Sequence, residues 1–191
     1  MPEERANYES MDQESRQARS EYEAMISKIE ERMDPNSNNV LIVDDEVGIR
    51  KSVARSIRKS TRNVVVQEAE NGLQALEKLE EMREKYNKDP LFIVTDLNMP
   101  VMDGWEFIEH LRKEYAAQGK TQGTPIIVLS STSGERGIPL FKKSVHGSKA
   151  RYTPLVAIAK EVCTDPRKYA TQGEQGLVAW IKQFARHGGA T

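Results

Sequence analysis

From residue 40 onward, short runs of branched apolar residues alternate with longer amphipathic stretches, and that alternation restricts the fold more than any other feature of the chain. VLIV at 40–43, NVVVQ at 63–67, LFIVT at 91–95 and PIIVLS at 125–130 are too brief for helices and read as strands buried on both faces. Between them, Val53, Ala54 and Ile57, then Leu73, Leu76, Leu79 and Met82, then Trp105, Phe107, Ile108 and Leu111, recur at helical spacing. Strands alternating with helices at this interval imply right-handed crossovers and a mostly parallel sheet with helices on both faces. The expected fold class is α/β.

The chain has 191 residues, 38% hydrophobic and 30% charged, which suits a soluble globular protein with one main core. A formal net charge of -1 gives no chain-wide field for nucleic acid, so a local site must carry the function. Apolar runs such as 40–43 and 155–159 fall far short of the roughly 18–20 residues of a membrane-spanning helix. MPEERANYES has neither a basic start nor an apolar stretch, so no secretory signal is expected and the address is cytoplasmic. Cys163 stands alone and reads as an ordinary thiol.

Residues 1–39 hold ten acidic and five basic residues, whereas residues 140–191 hold nine basic and three acidic, so the two ends suit different partners. The basic end has few interleaved aromatics and reads as a charged output face, not a nucleic-acid patch. His110, His146 and His187 read as solvated or partner-facing side chains. In the acidic arm, Tyr8, Met11, Ala18, Tyr22, Met25 and Ile29 form a thin apolar seam with a period near 3.5. That helix either leans on the following domain or makes a dimer or partner contact, and DPNSNN at 34–39 ends it. The division expected is 1–39, a helical extension and linker, and 40–187, the main domain.

Ligands of an open parallel sheet collect beyond the carboxyl ends of the strands. There the first strand delivers Asp44, Asp45 and Glu46, the third Asp96, and the fourth Ser130, Ser131 and Thr132. Carboxylates brought together repel one another and take up protons unless a cation neutralises them. Oxygen ligands and room for a phosphoryl group favour Mg²⁺ over an all-protein calcium cage. At the tip of a buried strand, Asp96 is placed to attack phosphorus and form an acyl phosphate.

LIVDDE (41–46), EAENGLQAL (68–76), TDLNMPVMDG (95–104) and PIIVLSS (125–131) resemble the receiver domain of two-component response regulators. The resemblance spans 40 to about 131 and implies a flavodoxin-like, doubly wound, five-stranded parallel sheet with helices on both faces. It implies Asp96 as phosphoacceptor, Asp45 as a direct magnesium ligand, Asp44 as an acid holding the metal mainly through water, and the Asn98 backbone carbonyl as a further ligand. Ser130 becomes the switch hydroxyl, and Gly104 permits a tight turn beside the acceptor. The family also has a Lys, usually followed by Pro, at the end of strand five. Here LVAIA at 155–159 reads as that strand, Lys160 supplies the cation and Glu161 stands in place of the proline; Lys149, or no lysine, are the alternatives. Ala157 occupies the place where the family often has an aromatic, so the resemblance does not extend to Ser–aromatic switching. A final helix is expected around Leu177, Val178, Trp180, Ile181 and Phe184.

The expected function is that of a single-domain response regulator. A histidine kinase or phosphotransfer protein donates a phosphoryl group to Asp96, and the modified domain switches contacts with a downstream protein target. No nucleic acid or membrane partner is expected, and a homodimer through the N-terminal helix is one option. Five residues follow Arg186, so no output domain is expected and the chain is read as a non-enzyme beyond its own phosphorylation and dephosphorylation. A receiver fold that binds proteins without phosphorylation is the alternative. An aspartyl-phosphate phosphatase, as in the haloacid dehalogenase group, needs an acid two residues after the nucleophile, and position 98 is Asn.

Overall fold

The computed structural model describes residue 16, residues 20–21, 23–60, 63–130, 152 and 154–160. Helix α1 covers 23–32. It is followed by β1 (Asn38–Val43), α2 (Val47–Ser60), β2 (Val64–Ala69), α3 (Gly72–Tyr86), β3 (Phe92–Asp96), α4 (Gly104–Ala117), β4 (Ile126–Ser130) and β5 (Leu155–Ala159). The five strands form one parallel sheet in the order β2-β1-β3-β4-β5. After β2 the chain crosses back over β1 to lay down β3, so strand order reverses between β1 and β3, and their carboxyl ends flank a crevice.

Alternation along each strand divides the core in two. Val40 and Ile42 face one side with Phe92, Val94, Ile127 and Leu129, where Val53, Ala54 and Ile57 of α2 cover them. Leu41, Val43, Ile93, Ile126 and Val128 face the other, beneath Ala75, Leu79 and Met82 of α3 and Phe107, Ile108, Leu111 and Tyr115 of α4. The fold is therefore the expected α/β class, a five-stranded parallel sheet with helices on both faces.

Two local readings change. Leu73, expected on the buried face of its helix, is 46% exposed, and the buried stripe runs through Gly72, Ala75, Leu79 and Met82. Residues 38 and 39, expected in the linker, are the first two of β1, because the Asn38 N–H bonds the Asn63 carbonyl and the strand pairs Asn38 with Val64. The turn before them is closed by Asn38, whose side chain accepts from the Asp34 N–H at 2.9 Å and donates to the Asp34 carbonyl at 2.8 Å.

Met25 and Ile29 of α1 are fully buried in the same core cluster as Val40, Ile57 and Phe92. Those two positions of the apolar seam are thus occupied within the chain and offer no surface to a dimer partner. The rest of the seam, the final helix, Lys149, Cys163, His146, His187 and the basic end apart from residues 152 and 154–160 lie outside the described residues. Among the described residues, no helix is long and apolar enough to cross a membrane.

Candidate functional site

Three strand ends build the site. Asp44 and Asp45 follow β1, Asp96 is the last residue of β3, and Lys160 follows β5. Carboxylate oxygens of Asp44, Asp45 and Asp96 lie within 4.8 Å of one another. Asp44 is fully buried and Asp96 nearly so, at 3% exposure, while Asp45 is exposed.

The Asp96 carboxylate is oriented through both oxygens. Oδ1 accepts from the Leu97 N–H at 2.7 Å, and Oδ2 accepts from Lys160 Nζ at 3.0 Å. Asp44 Oδ1 accepts from the Glu46 N–H at 2.8 Å, and the Arg50 guanidinium donates to the Asp44 carbonyl. Asp44 Oδ2 lies 3.0 Å from Lys160 Nζ as an ion-pair contact, yet this buried oxygen has no aligned hydrogen-bond donor. Burial pushes the Asp44 carboxyl above its ordinary range, against the pull of Lys160 and the Glu46 N–H. Burial alone would lower the Lys160 pKa, but Glu46, Asp44 and Asp96 around the ammonium outweigh it and hold it raised.

A magnesium ion fits this donor set. It is made of oxygens only, it carries more negative charge than one ammonium balances, and it includes a buried oxygen lacking an aligned donor. The acceptor loop is tightly packed against the start of α4. Gly104 packs against the Asp96 carbonyl and the Leu97 Cα so closely that no Cβ could be accommodated, and its N–H bonds the Leu97 carbonyl at 2.9 Å. Asp103 caps α4 by accepting from the Glu106 N–H at 2.8 Å, which fixes the loop's far end.

Asp44, Asp45, Asp96 and Lys160 are thus brought together. Ser130 is the last residue of β4, beside β3, in a register that pairs Asp96 with Leu129 and Ser130 with Ala159. Asn98 lies in the exposed loop after β3. Two contributors had no part assigned from sequence. Glu46 lies 2.9 Å from Lys160 Nζ through Oε1, and the only sequence signal for it is its place as third acid of the DDE run. Arg50 has none, since its partner at the site is a backbone carbonyl.

Comparison with known proteins agrees with this geometry. Over 103 residues the chain is 34% identical to a protein-glutamate methylesterase/protein-glutamine glutaminase of Koribacter versatilis, covering 54% of this chain and 25% of that one. It is 33% identical over 94 residues to a transcriptional regulatory protein of Bacillus subtilis, covering 49% of this chain and 38% of that one. A two-component response regulator from Cytophaga hutchinsonii superposes with a TM-score of 0.50 at 22% identity, covering 65% of this chain and 85% of that one, a likeness of fold. The chain spans about a quarter of the length of the first curated relatives it matches.

The expectation of a non-enzyme is corrected by the curated relatives, several of which are enzymes, matched over 24% to 37% of their length. That expectation rested on the number of residues after Arg186, a quantity with no bearing on chemistry. The response regulator receiver domain model matches residues 40–140. With the sheet order, the acid cluster and the strand-five lysine in place, the chain belongs to the response regulator receiver domain family.

Proposed function

We propose that this chain is a phosphoacceptor in a two-component relay, taking a phosphoryl group onto Asp96 and switching protein contacts in response. The observation that carries this reading is the contact of Lys160 Nζ, 3.0 Å from Asp96 Oδ2, beside carboxylates suited to a divalent cation. Asp44, Asp45, Asp96 and the Asn98 backbone carbonyl would hold magnesium. When bound, it supplies positive charge that offsets the carboxylates and the oxygens of an arriving phosphoryl group.

The chain's own residues do the rest. The Asp96 carboxylate forms a phosphorus–oxygen bond as the donor's phosphorus–nitrogen bond breaks, and the donor imidazole leaves with that electron pair. The Leu97 N–H holds Asp96 Oδ1 in place, and Lys160 balances charge gained beside Oδ2. The Ser130 hydroxyl is the group assigned to bond the phosphoryl oxygen and pass the change toward β5. Donors of matching chemistry are a phosphohistidine on a histidine kinase or on a phosphotransfer protein. The output partner is a protein surface, whether separate or joined to the receiver as in the enzymes and transcriptional regulators that share it.

Incubation with acetyl phosphate and Mg²⁺ followed by intact-mass measurement tests the reading. One added phosphoryl group is expected, absent in Asp96→Asn. A wild-type mass that stays unchanged at every magnesium concentration would overturn it.

A further inference from the structure

Glu46 takes no part in the acid cluster or in the acceptor chemistry outlined above, yet its carboxylate is as close to the Lys160 ammonium as either buried aspartate. The distances are 2.9 Å to Glu46 Oε1 and 3.0 Å each to Asp44 Oδ2 and Asp96 Oδ2. The Glu46 backbone is fixed on both sides. Its N–H donates to Asp44 Oδ1 at 2.8 Å, and its carbonyl accepts from the Arg50 N–H at 3.1 Å, just before α2 begins. The side chain therefore springs from an anchored point, reaches in to an almost fully buried ammonium, and remains 61% exposed itself. Three carboxylates, those of Asp44, Asp96 and Glu46, surround a single lysine, with Asp45 beside the two aspartates.

We propose that Glu46 is a positioning residue that competes with the incoming phosphoryl group for Lys160, so that its negative charge at the mouth of the site slows phosphorylation of Asp96 by anionic donors. This rests on the phosphoacceptor reading. The metal-holding acids cannot be removed without losing the site, whereas Glu46 lies outside them and can be neutralised. Its charge raises the barrier for any anion that must take over one of the lysine's three N–H bonds. The penalty grows with donor charge, because the repulsion is proportional to it. A unit charge about 6 Å away in water-like surroundings changes a rate roughly three-fold. Salt weakens the effect at an exposed position.

Glu46→Gln tests this, since the amide oxygen can still accept from Lys160 but carries no charge. Phosphorylation is followed by intact mass at low ionic strength, with magnesium saturating for each variant. The donors are acetyl phosphate, a dianion near neutral pH, and phosphoramidate, a monoanion there. Glu46→Gln is expected to speed acetyl phosphate about ten-fold and phosphoramidate roughly three-fold, with both gains shrinking in high salt. Glu46→Asp, which keeps the charge, should stay near the wild-type ratio of the two donor rates. Equal or slower phosphorylation of Glu46→Gln, or an equal gain for both donors, overturns the proposal while leaving Asp96 as acceptor. A wild type that accepts no phosphoryl group overturns both readings together.

Discussion

Gly104 lies directly against the Asp96 carbonyl, with the Leu97 Cα beside it. Both neighbours are backbone, so neither can swing away from an added methyl group. Gly104→Ala should therefore cost about 1–3 kcal/mol of stability by overpacking and should displace the acceptor loop. Gly72 offers the contrast, because a Cβ there meets mainly the Met102 side chain, at 2.7 and 2.9 Å, which can change rotamer. Urea unfolding of the two alanine variants should show the larger loss at Gly104. A larger loss at Gly72 would contradict the backbone argument.

Lys160 is 6% exposed and balances carboxylates that otherwise repel one another. In the absence of metal, Lys160→Ala should destabilise by about 3–5 kcal/mol, the usual penalty for unpairing buried charge. Magnesium should restore part of that loss. Because the ammonium and the metal draw on the same oxygens, the variant should also bind Mg²⁺ more tightly than wild type by calorimetry, while accepting phosphoryl groups more slowly. Weaker magnesium binding would mean that Lys160 helps to hold the metal site in shape more than it competes for it.

The parts of the site legible in the sequence are those fixed by burial. Asp44 and Asp96 could be placed because each ends an apolar run that only a strand buried on both faces explains, and the crossover rule then brings those ends together. Lys160 needed the family resemblance as well, which implies a lysine after strand five, and the burial of LVAIA then favoured Lys160 over Lys149. Glu46 followed from neither, because its contact joins side chains 114 residues apart, one of them mostly exposed, and no periodicity encodes such a pair. Asn38 and Asn39 read as linker because their side chains are polar, yet strand pairing is a backbone property and β2 supplies their partners. Leu73 shares the spacing of the buried leucines, but α3 starts at Gly72, capped by Asn71, and its first turn presents Leu73 to solvent.

Ile29 predicts how far the receiver depends on α1. Its side chain is fully buried among Val40, Ile57 and Phe92, so Ile29→Ala should cost about 2–5 kcal/mol by urea unfolding. Met33, one turn on and 36% exposed, serves as the control, and Met33→Ala should stay within about 0.5 kcal/mol of wild type. Equal, small effects at both positions would show that α1 only rests on the domain.

Tyr152 links the segment before β5 to the loop before β4, its hydroxyl donating to the Thr124 carbonyl at 2.7 Å while Tyr115 and the Thr124 hydroxyl bond each other at 2.8 Å. Tyr152→Phe leaves a buried acceptor without its donor and should cost about 1–3 kcal/mol near neutral pH. Burial, with Tyr115 close by, raises the Tyr152 phenol above its ordinary value of 10.0. The unfolded chain therefore loses this proton at lower pH than the folded one. The stability linked to it is full below pH 10.0 and falls as pH climbs toward the folded value. In Tyr152→Phe that contribution is gone, so the gap between wild type and variant should hold steady up to about pH 9.5 and narrow between about pH 10 and about pH 11 in urea titrations. A gap that stays constant across this window would place the phenol in contact with solvent.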